Sequence, residues 1–419
     1  MHDLWVRVAA GVALSALGGC ASTHDGPRPG GEPPTPQTSC SAGITTGCDV
    51  STGVCQERLI ELAGCVTESD APTGVTIELL SEEDYAEIVR SDWADYDPQD
   101  DRHVTRALAA LGLSAAEPAT LEEIVASEVE GIRGVYRSAP ERRIVLIDRG
   151  QALDDLGMNG TFVHEVVHAI QDADYDLPRF KDSLYATRDG ASAARAVVEG
   201  NARLYQYLGL FPVIGRDTSP PAFEAFLRSQ ARELLDGIDD PETRYDAVPG
   251  LPYDLGAVLA WNAYEASGTA GTDELFGSPL TTSWQVLAPM LGVDAGELEV
   301  VEIAEPVVDE LVLDGFDTLG AFNVKLLLLN QGVDGPTSDQ LAMAWRGDRL
   351  SVYTDDTGSE SYALWQLELA SDKAATAVDR VFPDLFGNIR HGVAGRRLFV
   401  SIGPIAQLTD WGQAWLAAE

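Results

Sequence analysis

Residues 164–168 read His-Glu-Val-Val-His, a spacing of histidines that suits metal binding. Two histidines four positions apart lie on one face of an α-helix, with Cβ atoms about 5–6 Å apart. Their imidazoles can therefore share one ion at about 2.0–2.1 Å, the distance typical of zinc. Glu165 is placed to accept a proton from a zinc-bound water. The pattern predicts that His164 and His168 are zinc ligands and that Glu165 is a general base.

A second predicted helix, over residues 191–208 and ending before Gly209, offers a third ligand, Glu199. It carries small residues that are expected to let it approach the helix of His164 and His168 closely, namely Ala193, Ala196, Gly200 and Ala202. A catalytic zinc site needs three protein ligands and keeps its fourth position for water, which favours Glu199 as the third. The alternative is a surface carboxylate paired with Arg195 and Arg203, four positions to either side.

The segment around the motif predicts an amphipathic helix beside a strand. Asn159 or Thr161 is expected to cap the helix, and apolar residues then recur at helical spacing. Residues 142–148 form a short, β-branched apolar run that predicts a strand, giving a cleft with the helix as floor and the strand as rim. The alternative is a chance motif on a solvated helix, but the chain has only 6 histidines.

Two motifs together resemble those of gluzincins, a branch of the zinc metallopeptidases. They are His-Glu-Val-Val-His-Ala-Ile-Gln-Asp at 164–172 and Ala-Val-Val-Glu-Gly-Asn-Ala at 196–202. More narrowly, they resemble an uncharacterised bacterial and archaeal lipoprotein group with HExxHALQDQ and VEGDA-like motifs. Weaker similarities extend over most of residues 70–419, at 134–137, 251–256 and 345–350. The resemblance implies a zincin-like, mainly helical catalytic domain with a small sheet, and peptidase activity.

The chain departs from this group without losing a ligand. Ile170 and Ala173 stand where Leu and Gln are usual, and Asn201 stands where Asp is usual. In gluzincins such as thermolysin, an Asp four residues after the Glu ligand supports a histidine, and here that position is Arg203. Asp172 or Asn201 is the expected replacement in supporting a ligand.

Two further residues are candidates for stabilising an oxyanion. Tyr253, at the start of a predicted helix, is the first, and His391 is the second. The alternatives are that Tyr253 is a packed aromatic residue and that His391 lies in an exposed turn beside Arg390. The strand at 142–148 is expected to pair with an extended chain, which favours a peptide or protein substrate over a small ester.

The first 19 residues predict a lipoprotein signal peptide. Arg7 precedes an apolar stretch at 8–17 that is too short to span a membrane. Leu-Gly-Gly-Cys at 17–20 matches a bacterial lipobox, which predicts lipidation of Cys20 and anchoring to the cell envelope. The alternative is an ordinary secretory signal. The following Ala and Ser lack the Asp that retains many lipoproteins at the inner membrane, so the outer membrane is the expected location.

Residues 20–39 are rich in Pro, Gly, Ser and Thr and predict a flexible linker. A disulfide-stapled segment is expected over residues 40–66, which hold the remaining cysteines, Cys40, Cys48, Cys55 and Cys65. Four cysteines in an exported chain predict two disulfides, with three possible connectivities. A zinc site of four thiolates is the alternative, but the segment lacks a Cys-x-x-Cys pair.

The remaining chain predicts an α+β fold, with the zincin-like catalytic domain over residues 67–295 and an α+β C-terminal subdomain over 296–419. Strands are predicted at 75–79, 300–303, 349–354, 362–369 and 397–402, with a hairpin over 134–148. Helices are predicted at 82–90, 102–112, 120–130, 220–240, 253–267, 317–330 and 371–382.

The net charge of −39 disfavours nucleic-acid binding, because phosphate contacts need Lys and Arg. Such a field attracts cationic substrates and repels anionic ones. The expected function is a membrane-tethered zinc metallopeptidase with Glu165 as general base. The alternative is a non-catalytic zinc-binding envelope lipoprotein with a structural or adhesive role, and a zinc amidase acting on peptidoglycan would also suit the compartment.

Overall fold

A computed structural model describes the chain at residues 40, 47–100, 102–115, 117–293, 298–306, 311–358, 360–382, 389–403 and 406–417. The predicted signal peptide, the linker and the lipidation site Cys20 lie outside the described residues. Within the described part of the chain, no helix combines the length and the apolar character needed to cross a membrane.

Helices dominate, and the strands form two separate sheets, which confirms the predicted α+β class. The helices are α1 (Gly53–Thr67), α2 (Glu82–Asp92), α3 (Arg102–Ala110), α4 (Leu121–Val129), α5 (Leu156–Tyr175), α6 (Leu177–Leu184), α7 (Arg188–Leu210), α8 (Pro220–Asp239), α9 (Arg244–Ala247), α10 (Leu251–Ser267), α11 (Thr269–Gly277), α12 (Ser283–Leu287), α13 (Gly320–Asn330), α14 (Gly335–Met343), α15 (Asp372–Asp379) and α16 (Ala406–Ala417). The strands are β1 (Thr76–Ser81), β2 (Gly134–Arg137), β3 (Arg143–Asp148), β4 (Val312–Asp317), β5 (Trp345–Thr354), β6 (Ser361–Leu369), β7 (Ile389–Ala394) and β8 (Arg397–Ile402).

The first sheet has the strand order β1-β3-β2. β2 and β3 form the predicted antiparallel hairpin, while β1 pairs with β3 in parallel. The prediction that the strand at 142–148 lines the rim was therefore wrong, because β3 has a neighbour on both edges. Its residues from Ile144 to Ile147 are buried, as a central strand requires. The edge strands of this sheet are β1 and β2, and β2 is the one that packs against α5.

The helical layer is organised by a close crossing of α7 and α10. A Cβ atom added to Gly200 would lie 2.0 Å from the carbonyl carbon of Gly256, and one added to Gly256 would lie 2.2 Å from the oxygen of Ala196. The small residues of α7 at this crossing therefore allow α10 to approach closely. The prediction that they allow the helix of the two histidines to approach was wrong for Gly200 and Ala196. α5 approaches α7 at Gly160, where an added Cβ would lie 2.7 Å from Nε2 of Gln206.

The second sheet is antiparallel in the order β4-β5-β6-β8-β7. The predicted strand at 300–303 is wrong: among the described strands it forms none, although Val301 donates a hydrogen bond to the oxygen of Arg346 at 2.7 Å. β4 and β7 were not predicted. One hydrophobic core extends from α1 to β8 and joins the helices around the crossing of α7 and α10 to the second sheet.

Buried carboxylates attach α7 to the C-terminal part of the chain. Asp189, in the first turn of α7, accepts hydrogen bonds from the backbone N–H of Ser283 at 2.7 Å and from its hydroxyl. The N–H of Asp189 donates to the oxygen of Thr318 at 3.1 Å. Asp348 accepts bonds from the N–H groups of Leu319 and Gly320, each at 2.8 Å. The helix that carries Glu199 is thus anchored at its N-terminus by polar contacts inside the core.

The two predicted disulfides are present. Their connectivity is Cys40–Cys65 and Cys48–Cys55. The stapled segment continues into α1, whose apolar face is buried against α5 and α7. Cys48 also exchanges two hydrogen bonds with the side chain of Asn159 on α5, at 2.7 and 3.0 Å. The segment therefore supports the helix that carries the histidines.

Candidate active site

The histidines lie in the middle of α5, a longer helix than predicted. Asp155 caps it by accepting a hydrogen bond from the N–H of Met158 at 2.6 Å. The prediction of Asn159 or Thr161 as the cap was wrong, because the Gly-containing segment before the motif is already helical. His164 and His168 are each 8% exposed, and Glu165 is 6% exposed.

Three predicted donors converge at one point. Nε2 of His164 and Nε2 of His168 lie 3.0 Å apart, and each lies 3.1 Å from Oε2 of Glu199. α7 runs from Arg188 to Leu210, so Gly209 lies inside this helix and does not end it as predicted. Glu199 faces the histidines, and no ion pair with Arg195 or Arg203 is found among the described residues.

This cluster fits a zinc ion by its donor chemistry. Two atoms that each bind zinc at about 2.0–2.1 Å cannot be more than about 4.2 Å apart, and all three donor atoms meet that condition. Two imidazoles and one carboxylate are the ligand set of a catalytic site, which leaves room for water. Among the described residues, this is the one group of His, Cys, Asp and Glu side chains that could hold a metal ion.

The protonation of the cluster is set by burial and by mutual charge. Burial, with the positive charge of His168, lowers the pKa of His164 to about 4. His164 is thus neutral at pH 7, the form that binds metals. Burial acts to lower the pKa of His168, but the carboxylate of Glu199 outweighs it and raises the pKa. Burial likewise acts to raise the pKa of Glu199, but both histidines hold it well below the usual range. A cation and a proton would therefore compete for His168.

Gln171, which the sequence analysis missed, supports His168. Its Oε1 lies 2.8 Å from Nδ1 of His168, and its Nε2 donates to the oxygen of Val198 at 3.0 Å and to Oδ1 of Asn201 at 2.7 Å. Its position, three residues after His168 on the same helix, was the available signal. Gln171 links the histidine to the helix of Glu199, which is the role that outer partners play at metal sites.

The two predicted supports behave differently. Asn201 acts on His168 only through Gln171. Asp172 contacts neither histidine: it accepts hydrogen bonds from the hydroxyl of Tyr136 at 2.8 Å and from the N–H of Leu177 at 3.2 Å. Asp172 therefore ties β2 and α6 to α5, and the prediction that it supports a ligand was wrong. Nδ1 of His164 is buried without a hydrogen-bond partner among the described residues.

The proposed base, Glu165, is held by the edge strand. Its Oε2 accepts a hydrogen bond from the N–H of Tyr136 at 2.7 Å. β2 can come this close because residue 134 is glycine: an added Cβ would lie 2.7 Å from Cγ2 of Thr161 and 3.3 Å from Cγ of Glu165. Burial raises the pKa of Glu165 to about 7, which suits a group that takes up and returns a proton near neutral pH.

Of the two candidate oxyanion donors, Tyr253 lies at the site and His391 does not. Tyr253, in the first turn of α10, lines the cleft, and its ring centroid is 5.8 Å from that of His164. Burial and the charge of Glu199 raise its pKa well above 10, so its hydroxyl stays protonated. His391 is half-buried on β7, with Nδ1 at 2.7 Å from Oδ1 of Asp379, and is not among the cleft residues. Its assignment as a donor, and the alternative of an exposed turn, were both wrong.

The site opens into a cleft of about 690 Å³ between β2, α5, α6, α7 and α10. The free edge of β2 borders it, since the N–H of Tyr136 points away from β3 towards Glu165. The C=O of a strand residue points to the same side as its N–H, so the Tyr136 carbonyl faces the cleft too. The cleft therefore presents a backbone edge beside the three donors.

Comparison with known proteins found no similar protein. No protein-family model, no curated protein and no solved structure matches the chain.

Proposed function

We propose that this protein is a zinc-dependent hydrolase that cleaves peptide bonds. The observation that carries the proposal is the meeting of His164, His168 and Glu199 in a cleft beside the buried carboxylate of Glu165. Three protein donors without a fourth among the described residues favour a catalytic site over a closed structural one. For that reason the alternative of a non-catalytic zinc lipoprotein is less well supported.

His164, His168 and Glu199 would hold the ion. A zinc ion in such a site lowers the pKa of water to about 7 and polarises a carbonyl group. Glu165 would accept the proton of the attacking water and deliver it to the leaving amine, for which its pKa of about 7 is suited. Its hydrogen bond from the N–H of Tyr136 fixes the direction of the carboxylate.

Two features favour a peptide as substrate. The free edge of β2 can pair with an extended chain through the Tyr136 carbonyl, which places a substrate backbone along the cleft. The protonated hydroxyl of Tyr253 can donate a hydrogen bond to the oxyanion that develops at the cleaved carbonyl. Attachment to the envelope through Cys20 is part of the proposal and rests on the lipobox alone.

The test is hydrolysis of casein and of a peptide library by the full chain, with a chelator and then with added zinc. We expect activity that the chelator abolishes and zinc restores. Glu165→Gln should keep the metal and lose about 10²–10⁴-fold or more in rate. Glu61→Gln, an exposed carboxylate on α1, is the matched control and should keep full activity. Equal rates in Glu165→Gln and the wild type would refute the mechanism.

A further inference from the structure

The walls of the cleft hold as many basic as acidic residues, unlike the molecule as a whole. The whole chain has 67 acidic and 28 basic residues. The basic residues of the cleft are Arg133, Arg137, Arg149, Lys181, Arg195 and Arg203. Its acidic residues are Asp92, Glu128, Glu141, Glu165, Asp182 and Glu199. Bases and acids are thus equal in number here, whereas acids exceed bases more than twofold overall.

Most of these acidic groups are already engaged. Asp92 and Glu141 hold Arg137, at 2.7 and 2.6 Å. Glu128 accepts a hydrogen bond from the indole of Trp93 at 3.1 Å. Glu165 and Glu199 belong to the catalytic arrangement described above. Of the other cations, Arg149 is paired with Glu82 outside the cleft. The cleft therefore has little negative charge left with which to neutralise Arg195 and Arg203.

Arg195 and Arg203 flank the proposed ligand Glu199 on α7 and line the cleft. They precede and follow Glu199 by four residues, so all three lie on one face of α7. Both arginines act electrostatically on Tyr253, and Arg203 also acts on His164. Since four residues of helix rise about 6 Å, each guanidinium can reach a group adjacent to the cleaved bond.

Neither guanidinium is saturated. Among the described residues, Arg195 makes no hydrogen bond and no ion pair, although it is half-buried. Arg203 packs on the ring of Tyr207 and donates one hydrogen bond to Oε1 of Gln206 at 3.4 Å, while its closest carboxylate oxygen, on Asp254, is 4.0 Å away. Its buried Nε lacks a partner. Leaving the half-buried guanidinium of Arg195 without an acceptor is costly, and a carboxylate can satisfy it with two parallel hydrogen bonds.

We propose that Arg195, aided by Arg203, binds a carboxylate group of the substrate next to the cleaved bond. This inference deepens the proposed function, since it names the substrate class: peptides with either an acidic side chain or a free C-terminal carboxylate at this position. The strong negative charge of the molecule as a whole opposes such ligands, so their selection depends on the local cations of the cleft.

Binding tests the inference without requiring turnover. The full chain carrying Glu165→Gln is loaded with zinc and titrated by calorimetry with two pairs of acetylated tripeptides. The first pair is Ala-Asp-Ala amide against Ala-Asn-Ala amide, and the second is Ala-Ala-Ala acid against its amide. We expect one acid to bind at least about tenfold more tightly than its neutral partner, equivalent to about 1.4 kcal/mol. The pair that shows the difference identifies the source of the carboxylate.

Substitutions assign the effect to the arginine. In the same background, Arg195→Gln should reduce the preference to less than about threefold, and Arg195→Lys should retain part of it because the charge remains. Arg232→Gln removes the same charge from an exposed site on α8 and should leave the preference intact. Equal binding within both pairs, or a preference that survives Arg195→Gln, would overturn the inference.

Hydrolysis by the chain without the Glu165 substitution separates this inference from the proposed function. Cleavage of acidic and neutral peptides at equal kcat/KM, with equal binding, would contradict the carboxylate preference and leave the peptidase proposal standing. A binding preference that depends on Arg195, without hydrolysis of any peptide, would support carboxylate recognition and contradict the peptidase proposal.

Discussion

The crossing of α7 and α10 at Gly200 should be essential for the site, and Gly200→Ala tests this. The new Cβ would lie 2.0 Å from the carbonyl carbon of Gly256, where ordinary contact begins at 3.4 Å. The helices would have to separate by about 1.4 Å, and no rotamer change can relieve a clash with backbone. Glu199 is the preceding residue and Tyr253 lies one turn from Gly256, so both would move away from the histidines.

The expected cost follows from two opposed effects. Alanine improves helix propensity by about 1 kcal/mol, whereas a backbone overlap of this size costs about 3 kcal/mol or more. With an unfolding entropy of about 2.1 cal/mol/K per residue, a net loss of about 2–3 kcal/mol lowers the Tm by about 2–3 °C. Zinc binding should weaken more sharply, because ligand distances are tolerated only within about 0.2 Å.

Thermal unfolding and zinc titration of the full chain measure both effects. Gly209→Ala is the matched control on the same helix, because its Cβ would meet only the flexible side chain of Leu62, at 3.3 Å or more. That variant should unfold at or above the wild-type temperature and bind zinc normally. If Gly200→Ala were as stable as Gly209→Ala and bound zinc as tightly, the close crossing would not position the site.

Further predictions concern Gln171, Tyr253 and the dependence of stability on pH. Gln171→Leu should weaken zinc binding about 10–100-fold in competition with a chelator, and unchanged affinity would deny it a role at His168. Tyr253→Phe should lower kcat about 10²–10³-fold with little change in KM, whereas a normal kcat would exclude Tyr253 as an oxyanion donor. Burial raises the pKa of Asp189 from 3.8 to about 7. Between these two pH values the folded protein keeps a proton on Asp189 that the unfolded chain releases. The wild type therefore loses stability as the pH rises through this range. The unfolding free energy of Asp189→Asn relative to the wild type should therefore increase between about pH 4 and pH 7 in urea denaturation, and a constant difference would contradict the shift.

The predicted cluster could be found from the sequence because its geometry is local in two helices. The spacing of His164 and His168 fixes their common face, and the small residues around Glu199 indicated a tightly packed helix. The hairpin of β2 and β3 followed from a short apolar run with turn residues before it. These features depend on residues within a few positions of one another, and the periodicity of apolar residues in the sequence shows such local structure directly.

What failed depended on contacts between distant segments. The small residues of α7 do not reveal which helix they meet, and the partner at Gly200 is Gly256. A strand pattern does not show which strand lies at the edge of a sheet, and the strand at the cleft is β2, whereas the sequence predicts β3. The sequence also does not show the partner of His391, which is Asp379, twelve positions away. The spacing of Gln171 from His168 indicates a common helix face, but its bonds to Val198 and Asn201 on α7 depend on how the two helices pack.

Metal content of the purified full chain tests the central claim most directly. If His164, His168 and Glu199 hold one divalent cation, the wild type should contain or take up one zinc per chain, measured by plasma mass spectrometry and calorimetric titration. Glu199→Ala should remain folded by circular dichroism and lose most of this affinity, since a third ligand is gone. A wild-type chain that binds no zinc, or a Glu199→Ala variant that binds it as tightly as the wild type, would contradict the account.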